Sequence, residues 1–102
     1  MTSVTLLNAS FGGGPVVEYL GGDKPLDGAT VTVTVSGLAA GNAVNIETSV
    51  DGHTETLGGP ETYAATITSD GSSSFTAPAG TTTLRAILAW AQATPVTVSA
   101  SF

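Results

Sequence analysis

The chain has 102 residues with eight carboxylates, only two cations (Lys24 and Arg85), one histidine and no cysteine. A net charge of −6 built on two cations excludes nucleic-acid binding through a basic patch and disfavours an anionic membrane surface, because both need clustered Lys and Arg. Without cysteine there is neither a disulfide framework nor a thiolate metal site.

The length suits one domain with one core. Charged residues make up 10% of the chain, against about 25% in ordinary globular domains. Gly, Ser and Thr are plentiful, so a β-rich chain with a bland surface is expected. The opening "MTSVTLLNAS" lacks the basic and apolar regions of a signal peptide. No run approaches the ~18 apolar residues that would span a bilayer. On these signals the chain is expected to be made in a cytoplasm and not exported.

"SVTLLNA" (3–9) reads as the first strand. "SFGGGPVVEYLGGDKPLDG" (10–28) is the longest irregular stretch, in which Val16, Val17, Tyr19 and Leu20 offer at most a short strand. Its "FGGGP" has the glycine content of a phosphate loop, but no G-K-[ST] follows and no helix begins there. A flexible arm fitted to a neighbour is the expectation. Asp23 and Asp27 could serve calcium, yet the D-x-D-x-D-G ladder is absent, and Lys24 is expected to pair locally with one of them.

"ATVTVTVSG" (29–37) alternates Val31, Val33 and Val35 with Thr30, Thr32, Thr34 and Ser36, the pattern of a strand with one wet face. "NAVNIETSV" (42–50) turns Val44, Ile46 and Val50 inward, and "ETYAATITSD" (61–70) does so with Tyr63, Ala65 and Ile67. Between them, "SVDGHTETLGGPET" (49–62) holds the only histidine and three of the eight carboxylates. In an extended backbone Asp51, His53 and Glu55 share a face. At about 6–7 Å between such neighbours they are spread too widely to hold one small cation. An acidic hairpin in water, turning at Asp51-Gly52, is the expectation. No metal or cofactor is expected.

"TTTLRAILAWA" (81–91) has apolar residues on both parities, which suggests a central strand or one whose outer face meets something else. A short helix over 82–92 competes with that reading. "VTVSASF" (96–102) closes the chain with Val96, Val98, Ala100 and Phe102 on one side.

Catalysis is not expected. His53 has no serine in a nucleophile-elbow pattern to activate. The carboxylates fall in turns or on strand faces expected to be wet.

The run "DGSSSFTAPAGTTTLRAIL" (70–88), taken with "ATVTVTVSGLAAGNAVNIETSVDG" (29–52), resembles immunoglobulin-like and fibronectin-III-like modules over roughly 29–102. The resemblance implies an all-β chain, a single Ig-like antiparallel β-sandwich of about seven strands with Greek-key connections. In size and style the chain also resembles accessory proteins of tailed-phage virions, the decoration or head-fibre proteins of the capsid surface. That likeness implies a structural virion protein bound to the major capsid protein, other virion proteins or sister copies, with a trimer as one arrangement. Phe11, Val16, Val17, Tyr19 and Leu20 of the glycine-rich segment are the first candidates for the contact. Ile87 and Trp90 are the second. The alternative is a carbohydrate-binding or adhesin module, in which exposed aromatics such as Trp90 stack on sugars.

Overall fold

A computed structural model describes residues 3–14, 17–18, 29–49, 64–77, 81 and 83–102. Among these residues the chain forms eight strands and no helix. They are β1 (Ser3–Ala9), β2 (Val17–Glu18), β3 (Thr30–Ser36), β4 (Val44–Ser49), β5 (Ala65–Ile67), β6 (Gly71–Thr76), β7 (Thr83–Leu88) and β8 (Val96–Ser101). All pair antiparallel, in two four-stranded sheets ordered β1-β8-β3-β6 and β2-β7-β4-β5. The expected all-β antiparallel sandwich is therefore what forms.

The connectivity refines that expectation. β1 pairs with β8, β2 with β7, β3 with β6 and β4 with β5. This is one long antiparallel ribbon, doubled back between β4 and β5 and wrapped so that successive rungs fall in alternate sheets. Two cross-pairs, β3 with β8 and β4 with β7, then close the sheets. That order is a jelly roll with its two Greek keys, whereas an immunoglobulin sandwich sets its A, B, E and D strands against C, F and G. Runs of short alternating strands and turns, such as those over 29–52 and 70–88, are common to both kinds of sandwich. Pairing order is what separates them.

The core follows from alternation. Val31, Val33 and Val35 of β3 meet Val96, Val98 and Ala100 of β8 in one sheet. Val44, Ile46, Leu84, Ala86 and Leu88 face them from the other. β1 breaks the rule, since Leu6 and Leu7 are adjacent and both buried. The register with β8 slips between Thr5 and Leu7, so Leu6 is the extra residue of a β-bulge, and the bulge lets both leucines turn inward.

The outer faces of the two sheets differ. On the first, Thr5, Ser99, Thr34 and Ser72 form one cross-strand row, and Ser3, Ser101, Thr32 and Ser74 form the next. Hydroxyl pairs close between Thr32 and Ser74 and between Thr34 and Ser72, each at 3.0 Å. Uncharged hydroxyls cover this face.

On the second sheet, Glu47 lies opposite Arg85 and Ser49 opposite Thr83. Glu47 and Thr83 have outward parity yet are only 6% and 2% exposed. This corrects the expectation that every carboxylate sits in a turn or on a wet face. Glu47 is on a central strand of its sheet, with Arg85 of β7 opposite it in register.

Candidate functional site

The glycine-rich segment is not the loose arm its composition suggested, at least over residues 10–14. Gly14 N–H donates to the Ala86 carbonyl at 2.9 Å, and Leu88 N–H donates to the Gly12 carbonyl at 3.0 Å. Gln92 N–H donates to the Ser10 carbonyl at 2.8 Å. Residues 10–14 thus run as an edge along the end of β7, with Gly13 bridged to Ile87. β2 continues that edge, pairing Val17 with Leu84 and Glu18 with Thr83.

This ladder places two aromatics on facing backbone segments. Phe11 lies between Ser10 and Gly12, whose carbonyls bond Gln92 and Leu88, and Trp90 lies between those two donors. Phe11 is 69% exposed and Trp90 is 67% exposed, the large hydrophobic side chains most open to water among the described residues. Isolated exposed apolar residues are ordinary, but two bulky ones on facing segments make this end the candidate contact surface.

Hydrogen bonds between side chains and backbone fix this end of the molecule. Asn42 is 5% exposed and its amide makes four bonds. Its Oδ1 accepts from Trp90 N–H at 3.0 Å and from Ala43 N–H at 2.8 Å. Its Nδ2 donates to the Trp90 carbonyl at 2.8 Å and to Gln92 Oε1 at 2.9 Å. Gln92 is the second hub. Its Oε1 also accepts from Ala39 N–H at 3.0 Å, while Nε2 donates to the carbonyls of Gly37 at 2.7 Å and Thr94 at 2.9 Å. Two side-chain amides with both donors and both acceptor positions used make a fully satisfied network, which rigidifies what it touches.

Asp70, at the turn before β6, adds a clamp: its carboxylate accepts from Gly37 N–H at 3.2 Å and Leu38 N–H at 2.9 Å. The connections after β1, β3, β5 and β7 therefore meet at one end, tied together by Ser10, Asn42, Asp70 and Gln92. Replacing Asp70 by alanine frees two N–H groups in an exposed turn and is expected to lower stability by about 1 kcal/mol in urea unfolding.

The sequence-derived candidates fall out as follows. Phe11 and Trp90 lie on facing backbone segments at this end. Ile87 is half-buried on the outer face of β7, opposite Asn45 and Gly13, and so borders the same surface from below. Val17 lies in β2. Val16, Tyr19 and Leu20 lie outside the described residues, as do Asp23, Lys24, Asp27, Asp51, His53, Glu55 and Tyr63. The strand expected over 81–91 ends at Leu88, so Trp90 sits in the β7–β8 connection.

Asn42 and Gln92 were not singled out from sequence. The available signal was weak: an asparagine closing the glycine-bounded "GLAAGN" turn, and a glutamine two residues beyond the only tryptophan. Among the described residues no group of three metal-ligating side chains occurs, and there is no pocket. What the loop end offers is a surface. No protein-family model matches the chain, and no curated protein or solved structure matches it significantly.

Proposed function

We propose that the chain is a structural binding module that docks onto the outer surface of a tailed-phage capsid through the end carrying Phe11 and Trp90. The observation that supports this most is the exposed aromatic pair on a backbone held from both sides, Phe11 by the β7 ladder and Trp90 by Asn42. Interface anchors are typically aromatic, and a backbone ordered before binding loses little entropy on association. The hydroxyl-covered sheet presents no charge that must be desolvated if it too meets a neighbour. Jelly rolls recur in viral capsid and lectin domains, a likeness of fold that does not by itself assign a role.

The same aromatics keep a second reading open, a carbohydrate-binding or adhesin module in which Trp90 stacks on a sugar ring. Trp90→Ala separates the two. The substitution is expected to leave the urea midpoint almost unchanged, since the side chain is 67% exposed. It is expected to weaken co-sedimentation with purified virions about tenfold or more, as loss of a hot spot does. If wild-type chain ignores virions but binds glycans as an isolated domain, and Trp90→Ala abolishes that binding, the adhesin reading replaces the capsid one.

A further inference from the structure

The two sheets have four edges, and three of them are blunted. β1 carries the Leu6 bulge, β2 has two residues and β5 has three. Bulges and shortness are the usual protections against edge-to-edge pairing. β6 has neither. It is six residues long, "GSSSFT", in unbroken register with β3, without proline, lysine or any other charge.

The phase of its free hydrogen bonds can be read directly. Ala77 N–H donates to the Ala29 carbonyl at 2.9 Å, which makes 29·77 a hydrogen-bonded pair. Pairs alternate along an antiparallel ladder, so Phe75, Ser73 and Gly71 also bond to β3. The close hydroxyl contacts Thr32–Ser74 and Thr34–Ser72 agree, because non-bonded pairs bring side chains nearest. Ser72, Ser74 and Thr76 therefore point their N–H and C=O groups away from the sheet. All three are exposed, and among the described residues no other strand lies beside them.

We infer that this edge binds a second copy of the chain, β6 against β6, joining the two Ser/Thr sheets into one of eight strands. The edge is self-complementary. A twofold axis at Ser74 sets Ser74 against Ser74 and Ser72 against Thr76, and every outward N–H then meets an outward carbonyl. Charge favours this partner too. The chain carries −6 overall, yet the seam residues carry none, and nearby Asp70 is turned back onto Gly37 and Leu38. Such a contact is isologous and closes as a dimer, so it does not by itself build a trimer.

Sedimentation equilibrium of the full chain up to about 1 mM tests this, a range that reads any dissociation constant of 1 mM or tighter. A twofold increase over the 10.0 kDa monomer mass is expected, together with slowed amide exchange at Ser72, Ser74 and Thr76 in the dimer. Ser74→Ala keeps the dimer, because the seam bonds are main-chain. Ser74→Pro removes an N–H that β3 does not use, a substitution edges tolerate, and yields a folded monomer. Should proline disturb the strand, Ser74→Lys leaves the backbone intact and sets two like charges face to face, with the same loss of dimer. A wild-type chain that stays monomeric to 1 mM overturns the inference. So does a dimer that survives both Ser74→Pro and Ser74→Lys, or protection of these amides by a different protein's strand while the chain itself remains monomeric.

Discussion

Gly14→Ala is expected to cost about 4 kcal/mol or more, a large part of the 5–15 kcal/mol that holds a small domain together. A Cβ at this position would overlap the Leu6 carbonyl oxygen and lie 2.8 Å from the Leu6 carbonyl carbon and 3.2 Å from Leu7 Cα. Every one of those atoms is backbone, and it is the backbone of the bulge that turns Leu6 and Leu7 into the core. No rotamer change relieves the overlap. The bulge cannot retreat without withdrawing two fully buried leucines, nor can residue 14 retreat without breaking its bond to Ala86.

Gly12→Ala serves as the control. Gly12 has a positive φ of 73° with open space around its Cβ position, so alanine there is expected to cost only about 1 kcal/mol. Urea unfolding followed by circular dichroism reads both. A midpoint for Gly14→Ala close to that of Gly12→Ala would show that the edge and the bulge are not in contact as described.

The second large effect is at Asn42. Asn42→Ala removes four hydrogen bonds at a buried position and leaves the Trp90 N–H and carbonyl without the side chain that paired them. About 3 kcal/mol of destabilisation is expected. Asn42→Asp is expected to be at least as damaging although it keeps the shape. It sets a carboxylate oxygen against the Trp90 carbonyl and Gln92 Oε1, two acceptors that had been served by Nδ2. Both variants are expected to weaken capsid binding as well, because the Trp90 backbone loses both of its bonds to residue 42 in the alanine variant and the one through its carbonyl in the aspartate variant. Trp90→Ala weakens binding and spares stability. A difference between these two patterns separates the aromatic that makes the contact from the amide that positions it.

Where the strands lie was legible in the sequence, though β5 and β7 are shorter than the spans expected over 61–70 and 81–91. β1 and β3 fall within a residue of the expected spans, and in β3 strict alternation of valine with threonine admits only one buried face. β7 as a central strand followed from apolar residues on both parities, and it does pair on both sides, with β2 and β4.

Pairing order was not legible. Which valine ladder meets which depends on register and on how the ribbon wraps. The residues "VTVTV" and "VTVSA" carry no label that says β8 rather than another strand lies beside β3. Nor was the order at the loop end visible. "GGG" suggests freedom, but here one glycine is needed for close backbone approach and another lies beneath the Arg85 guanidinium. Asn42 and Gln92 act through partners 48 to 55 residues distant, beyond the reach of local pattern.

Trp90 is the only tryptophan in the chain, so its fluorescence reports directly on the proposed docking surface. In the free protein the emission is expected to be that of a water-exposed indole, readily quenched by acrylamide. On titration with intact virions it is expected to shift to shorter wavelength and become shielded from the quencher, saturating as the sites fill. Particles that bind the chain while the Trp90 emission and quenching stay unchanged, or virions that do not bind it at all, would contradict the account.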